Sequence, residues 1–264
     1  MLYYQVENIR ELEGIPTVSD IQKASLWKRI AAGILDLILV MILATGAAWG
    51  ISALVNYDSY DSRFQQVCQD YMTQYGLPEE VGELTPELES LYQQANDAIA
   101  QDENAIYLFN MVINLMLLIV TGGILFAYLV AEWLIPLLLG NGQTVGKKVF
   151  SLCLIRNDGV QLNNIQLFAR TILGKFAVET MILVYTAIML RFDQLNFVSL
   201  LLALAVIITQ PICFVATRHH CLLHDLMVGT VVADYGSQKI FKSTEDLIAY
   251  QKKIAAERAA RQTY

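Results

Sequence analysis

The sequence predicts an all-α membrane protein with four transmembrane helices and both termini in the cytoplasm, plus a small cytoplasmic hairpin and an external acidic helical insert. Of the 264 residues, 55% are hydrophobic and only 16% are charged, whereas soluble domains carry about 25% charged residues. The mean hydropathy is +0.44, and the apolar residues lie in long runs. These features exclude a secreted disulfide scaffold, a disordered protein and a basic nucleic-acid-binding domain.

Four apolar stretches are the predicted transmembrane helices, since about 20 residues are needed to cross a hydrocarbon core of about 30 Å. Three of these stretches carry at most one charge each. The remaining stretch has 19 residues and contains Lys175 and Glu179, so hydropathy alone does not decide it. The predicted helices cover residues 30–55, 106–135, 172–190 and 197–217.

The distribution of charge along the chain decides the doubtful crossing and the topology. Residues 56–105 carry eleven acids and a single base, Arg63. With four crossings, sixteen of the 18 Lys and Arg residues lie in the cytoplasm and only Arg63 and Arg191 lie outside, in agreement with the positive-inside rule. The sequence therefore predicts a cytoplasmic segment 1–25, a membrane domain 26–240 with an external insert 56–105, and a cytoplasmic helical tail 241–264.

The loop between the second and third crossings carries signals for local structure. Residues 144–151 are predicted to form a short helix lying at the membrane interface. Asn157-Asp158-Gly159 is typical of a hairpin turn, here between residues 152–155 and 160–162. This segment is the predicted cytoplasmic hairpin.

Capping residues predict where two helices begin. Asn163 or Asn164 is placed to cap the helix that leads into the third crossing. Ser243, followed three residues later by Asp246, has the spacing of a capping box before the charged tail helix. In the insert, apolar residues between 88 and 99 recur at helical spacing, which predicts a further helix there.

Small residues predict contacts between membrane helices. Gly46 and Gly50 form a small-xxx-small pair in the first helix, and Gly123, Ala127 and Ala131 continue one in the second. Such spacing allows helix backbones to approach closely, where van der Waals packing drives association.

Ionisable residues at membrane depth are the candidate functional groups. A charge at the centre of a membrane helix costs about 2.5–3.5 kcal/mol, so it is expected to face the helix bundle and find a partner. Asp36 is expected to pair with Arg170 or Lys175, and Arg29 with Asp225 or Glu132. The candidate residues for transport or ion pairing are Arg29, Asp36, Glu132, Arg170, Lys175, Glu179, His224 and Asp225.

Several of these residues lie in segments that resemble the RDD family of membrane proteins. The stretch WKRIAAGILD, residues 27–36, resembles the opening signature of that family, and GQTVGKKVFSLCLIRNDG and LHDLMVGTVV resemble later blocks. The resemblance implies that Arg29, Asp36 and Asp225 are the arginine and two aspartates of the family name. It also implies transport of an unidentified ligand, and some members resemble sodium/proton antiporters in activity.

The sequence leaves two interpretations of the charged residues open. Asp36 and Glu179 are either a cation or proton site, or parts of an ion-paired lock between helices. Equal numbers of acids and bases favour the lock, since a cation site usually keeps surplus negative charge. For the histidine-rich stretch 219–224, an interfacial basic segment is favoured over a metal site, because no second cluster supplies further ligands.

A phosphate-binding loop is rejected at residues 140–148. Asn141 and Lys148 stand where that motif needs a glycine and a serine or threonine.

The sequence therefore predicts a multi-pass protein of the cell membrane that transports a small solute or cation, including cation/proton exchange with Asp36 and Glu179 exchanging the proton. The alternative is a non-catalytic membrane scaffold or accessory subunit. No nucleophile–base motif is present, so we expect no enzyme. We expect no cofactor and no nucleic-acid partner; the expected partners are the lipid bilayer and a small cation or solute.

Overall fold

The computed structural model describes residues 21–78, 85–192 and 194–262, so the first 20 residues of the predicted segment 1–25 lie outside the described residues. The described chain is built from helices and one pair of strands. The helices are α1 (Leu26–Leu54), α2 (Tyr57–Gln74), α3 (Pro86–Ile99), α4 (Glu103–Leu139), α5 (Val145–Val149), α6 (Asn164–Arg191), α7 (Phe197–Ala216), α8 (Leu223–Val228) and α9 (Thr244–Gln262). The strands are β1 (Leu152–Arg156) and β2 (Thr230–Asp234).

Four of these helices, α1, α4, α6 and α7, are long and apolar enough to cross a membrane. They cover the four predicted stretches to within one residue at either end, and the chain is therefore an integral, multi-pass membrane protein. The helix α6 begins eight residues before the predicted start at residue 172, because a cap sets the start of a helix whereas hydropathy locates only its apolar part. Asn163 and Gln166 form that cap as a reciprocal capping box.

Two of the four helices contain π-helical turns, which the sequence did not predict. In α4 the turn covers Leu129–Leu134, and in α6 it covers Arg170–Met181. A π turn widens the helix by one residue and is frequent at functional sites. These two segments contain Glu132, Arg170, Lys175 and Glu179.

The chain divides into two compact units, residues 1–41 with 127–264 (unit 1) and residues 42–126 (unit 2). In unit 2, the predicted contact at Gly123 is confirmed, since a Cβ there would lie 2.8 Å from the Ala44 carbonyl oxygen and 3.1 Å from the Ala48 Cβ. The predicted contacts at Gly46 and Gly50 are wrong for the described residues, because nothing lies within 4 Å of a Cβ at either position. The alanine face of α1 makes the close approach instead.

The described residues of the insert form the helices α2 and α3, and α3 contains the stretch 88–99 for which the sequence predicted a helix. Thr85 caps α3 by accepting a hydrogen bond from the Leu88 N–H at 3.3 Å. Asp102 caps α4 through the N–H of Asn104 at 2.7 Å and also accepts the Tyr71 hydroxyl at 2.8 Å. These local polar contacts connect the end of one insert helix to the start of the next membrane helix.

In unit 1, the strands β1 and β2 pair antiparallel, with Leu152 opposite Asp234 and Arg156 opposite Thr230. The predicted hairpin with residues 160–162 is present only at its turn end. There the Gly159 N–H donates to the Arg156 oxygen at 3.0 Å with φ +83° at the glycine, and one antiparallel bridge joins Ile155 to Gln161. The main partner of β1 is β2, which pairs with it from Leu152 to Arg156.

The other predicted local elements of unit 1 are present. The short helix predicted at 144–151 is α5, and Thr144 is its N-cap. Ser243 accepts the Asp246 N–H at 3.2 Å and precedes α9, as the capping pattern predicted. Phe241 and Leu247 are buried in a cluster with Val160, which packs the start of the tail against the turn after β1.

Candidate functional site

A cavity of about 710 Å³ lies in unit 1, and all eight residues that the sequence singled out line it. One further charged residue, Lys147 of α5, lies in the same lining. Apolar side chains complete the walls, among them Leu37, Val40 and Phe214. The structure thus brings together residues from α1, α4, α6 and α8 that are up to 196 positions apart in the chain, as with Arg29 and Asp225.

Arg170 lies at the centre of the ion pairs, with a relative exposure of 2%. Its Nε donates to Asp225 Oδ1 at 2.9 Å, and a terminal nitrogen lies 2.8 Å from the same oxygen. Burial by itself disfavours the charged form of Asp225, but the charge of Arg170 and hydrogen bonds from Arg170 and Thr230 outweigh it and hold the pKa of Asp225 well below its usual range. This pair holds α6 against α8.

Within the part of the chain that the structure describes, only one of the two carboxylate oxygens of Glu132 receives a hydrogen bond, and the donor lies in α6. Lys175 Nζ donates to Glu132 Oε1 at 2.7 Å, whereas Oε2 is buried without a hydrogen-bond donor and lies 3.9 Å from an Arg170 nitrogen. The Thr171 hydroxyl donates to the main-chain oxygen of Glu132 at 3.0 Å. This bond is a second contact between α6 and the π turn of α4.

Glu179 accepts hydrogen bonds from His224 twice, from the backbone N–H at 2.9 Å and from Nδ1 at 2.8 Å. Burial lowers the pKa of His224, and the charge of Arg170 adds to that effect. The histidine is therefore neutral near pH 7 and donates its Nδ1 proton to the carboxylate. Gly174 permits this approach of α6 to α8, since a Cβ there would lie 2.6 Å from the His224 Cβ.

Asp36 binds the start of α5, and the predicted pairing with Arg170 or Lys175 is wrong. The Thr144 hydroxyl and the Gly146 N–H, the latter at 2.7 Å, donate to its two carboxylate oxygens. Lys147 Nζ lies 3.8 Å away as its ion-pair partner. The physical reason is that a helix N-terminus offers free N–H groups to a carboxylate, and the loop folds back to present one.

Gly146 is required for that approach. A Cβ on this residue would overlap the Ala32 carbonyl oxygen and would lie 2.9 Å from the Asp36 carboxyl carbon. The helix α5 therefore packs backbone to backbone on α1.

Arg29 binds main-chain oxygens, so its predicted pairing with Asp225 or Glu132 is also wrong. Its guanidinium donates to the oxygens of His219 and His220 at 3.0 and 2.7 Å and lies over the Phe214 ring at 5.8 Å. The chain turns sharply after α7, with φ +52° at His220, and this turn exposes the carbonyl groups. Arg29 thus joins the start of α1 to the end of α7.

Lys147 is the charged lining residue that sequence reasoning missed. It is buried, with a relative exposure of 7%, and its Nζ donates to the Thr144 hydroxyl at 3.1 Å. Burial lowers the pKa of Lys147 to about 8, because Glu132 and Asp36 offset only part of the desolvation while Lys175 and Arg170 oppose its charge. The one signal in the sequence was its place in the GQTVGKKV block; a lysine in a polar loop is otherwise expected in solvent.

Opposite charges are balanced around the cavity. Four carboxylates face four lysine or arginine side chains in its lining, and His224 is neutral near pH 7. Within residues 21–78, 85–192 and 194–262, no group of three or more His, Cys, Asp or Glu side chains is arranged to hold a metal ion. The cavity offers charged groups of both signs to the polar or charged groups of a solute.

Comparison with known proteins identifies the family. The family model described as RDD family matches residues 23–229, which is most of the chain. This chain belongs to the RDD family. All eight predicted site residues of this RDD protein lie inside the matched range. No curated protein and no solved structure matches the chain.

Proposed function

We propose that this RDD protein binds a small solute in the cavity of unit 1 and transports it across the cell membrane. The observation that supports the proposal most directly is the cavity itself. A volume of about 710 Å³ falls in the range of small-molecule sites, which combine apolar walls with a few placed polar groups. Ionisable residues inside membrane segments usually mark substrate or ion pathways.

A narrower form of the proposal is cation/proton exchange through Asp36 and Glu179. The geometry supports it less, because both carboxylates already accept hydrogen bonds from groups of the protein. The balanced lining also lacks the surplus negative charge that a bare cation requires. We therefore favour an organic solute over an inorganic cation.

The second candidate function is a non-catalytic scaffold or accessory subunit. The buried pair of Arg170 and Asp225 favours it, since a pair at 2.8 Å with exposures of 2% and 1% locks two helices together whatever the protein does. Ion pairs that only hold helices together, however, do not require a cavity next to them, so the cavity is better explained by solute binding. Neither candidate function includes an enzyme reaction.

Solute uptake into proteoliposomes separates the two functions. We would measure entry of radiolabelled glucose, choline and leucine, and proton movement driven by sodium or potassium gradients. The cavity variant is Gly33→Phe and the matched control is Gly46→Phe; both glycines lie in α1 with nothing within 4 Å of a Cβ, but only Gly33 lines this cavity.

We expect protein-dependent uptake of at least one probe. A phenylalanine at position 33 would fill space in the cavity that a solute needs. Gly33→Phe is therefore expected to slow uptake by about tenfold or more, while Gly46→Phe leaves it unchanged. If neither a probe nor a proton moves in the wild-type protein, the transport proposal is wrong and the scaffold takes its place.

The proposed membrane arrangement has both termini in the cytoplasm and the insert outside. Native Cys68 belongs to the outer side in this arrangement, but Cys221 cannot report the inner side because it is buried, with a relative exposure of 4%. In a protein without native cysteines, an impermeant thiol reagent on intact cells is expected to label Gln65→Cys and to spare Lys148→Cys, two exposed positions. Labelling of Lys148→Cys alone would show that the orientation is the opposite of the proposed one.

A further inference from the structure

Two charged groups in the cavity keep unused hydrogen-bonding capacity. Glu132 Oε2 is the one buried carboxylate oxygen among the described residues that has no hydrogen-bond donor. Within the described residues, Lys147 Nζ has two polar contacts, the Thr144 hydroxyl at 3.1 Å and the Asp36 carboxylate at 3.8 Å. An ammonium has three N–H donors, so Lys147 can still donate to a ligand.

The other carboxylates of the lining already accept hydrogen bonds from the protein. Asp36 accepts from Thr144 and Gly146, and Asp225 accepts from Arg170 and Thr230 through Oδ1. Glu179 accepts from His224. Among the described residues, the buried carboxylate oxygen left without a donor is therefore on Glu132, and Lys147 offers a buried donor in the same cavity lining.

We propose that the ligand is a small zwitterion with an apolar body, of the amino-acid type, whose ammonium donates to Glu132 Oε2 and whose carboxylate accepts from Lys147. This inference rests on the proposed function, since it names the solute class of the same cavity. Both residues line the cavity and are buried, with relative exposures of 3% and 7%.

Charge balance supports a zwitterion over an ion of one sign. The lining carries four positive and four negative side chains. A lone cation or anion would leave one buried charge uncompensated, which is strongly unfavourable. A zwitterion brings one charge of each sign and leaves the balance unchanged.

The apolar wall supports an apolar body on the ligand. Leu37, Val40 and Phe214 line the cavity together with the charged groups. Burying an aliphatic side chain against such a wall contributes about 25 cal/mol per Å² of apolar area. A purely polar zwitterion such as glycine would not gain this term.

Three matched probes test the inference. Leucine carries both charges, isoamylamine is leucine without the carboxylate, and 4-methylpentanoate is leucine without the amine. We would measure the dissociation constant of each with the purified full-length protein in detergent, by thermal shift and by competition with radiolabelled leucine. We expect leucine to bind at least about tenfold more tightly than either analogue, since hydrogen bonds to charged groups contribute about 1.5–3 kcal/mol each.

Two variants assign the contacts. Lys147→Met is expected to remove the advantage of leucine over isoamylamine, and Glu132→Gln its advantage over 4-methylpentanoate. Lys148→Met is the matched control, because Lys148 is the exposed neighbour of Lys147. Since the wild-type comparison of the three probes needs no variant, loss of folding in Glu132→Gln does not remove the test.

The outcomes distinguish this inference from the proposed function. Uptake of choline or glucose without leucine binding would support transport and overturn the zwitterion. Equal affinity for leucine and isoamylamine would overturn it as well. Leucine binding with the expected variant pattern but without uptake would support the zwitterion site and overturn transport.

Discussion

The two units of this RDD protein bury different kinds of side chain. In unit 2, the buried residues of the described chain are all apolar: Leu77, Ala95, Ala105, Leu108, Val112 and Gly123. In unit 1, the described chain also buries polar and charged residues: Asp36, Gln143, Thr144, Glu132, Lys147, Arg170, Thr171, Ser199, His224, Asp225 and Thr230. Every buried polar side chain of the described residues thus lies in one unit.

This difference shows that the free-energy cost of burying charged groups falls on unit 1. Unit 2 is held by apolar contacts and by close helix packing at Gly123, which needs no exact partner for each group. In unit 1, each buried charge must be matched by an opposite charge or by hydrogen bonds. Such an expensive arrangement beside a cavity is expected where a protein binds a ligand, which is why both proposals concern unit 1.

The largest expected effect is the loss of the central ion pair in unit 1. Asp225→Asn leaves Arg170 buried without its charged partner, which typically costs about 3–5 kcal/mol. Asp102→Asn is the matched change in unit 2, where the aspartate is half-buried and Asn keeps the cap. Folded yield and the thermal midpoint in detergent are expected to fall for Asp225→Asn only. Equal losses for both variants would remove the distinction between the units.

A smaller effect is expected from a single methyl group at the contact of α5 with α1. Gly146→Ala would overlap the Ala32 carbonyl oxygen and push α5 away from Asp36, and overpacking of this kind costs about 1–3 kcal/mol. Gly33→Ala is the control, because nothing lies within 4 Å of a Cβ there. The thermal midpoint should drop for Gly146→Ala alone. An unchanged midpoint would mean that α5 can move away from α1 without a cost in stability.

A pH-dependent effect of similar or smaller size is expected from Lys147. Its pKa falls from 10.5 to about 8 in the folded protein, so the unfolded chain binds more protons between these pH values and stability rises with pH in that window. Lys147→Met removes this rise, whereas Lys148→Met, at the exposed neighbour, retains it. The measurement is the thermal midpoint as a function of pH from 7.5 to 10.5 (about three pH units, enough to cover both pKa values). The same change of midpoint with pH in the two variants would contradict this prediction.

The smallest effect is expected in unit 2, at the bond between Tyr71 and Asp102. Tyr71→Phe removes one hydrogen bond of 2.8 Å near the surface and leaves the Asp102 cap of α4 in place. Solvent can replace the lost hydroxyl at Asp102. We expect a thermal midpoint close to that of the wild type; a loss as large as that of Gly146→Ala would show that unit 2 also depends on specific polar contacts.

The sequence by itself determined the features that depend on neighbouring residues. Hydropathy located three of the membrane helices, and the distribution of charge decided the remaining one. The caps at Asn163 and Ser243 follow from side chains that bind the next turn of their own helix. The cost of burying charge, together with the resemblance to the RDD family, identified the eight residues that surround the cavity. None of these inferences needs to know which distant residues come into contact.

Only the tertiary structure decided which partner each charge takes. Asp36 binds Thr144 and Gly146, 108 and 110 residues away. The strand β1 pairs along its length with the distant β2, and Lys147 lines the cavity from α5. A carboxylate is satisfied equally well by a lysine, an arginine or the N–H groups of a helix start. The choice among them depends on helix rotation and loop path, which no local pattern in the sequence encodes.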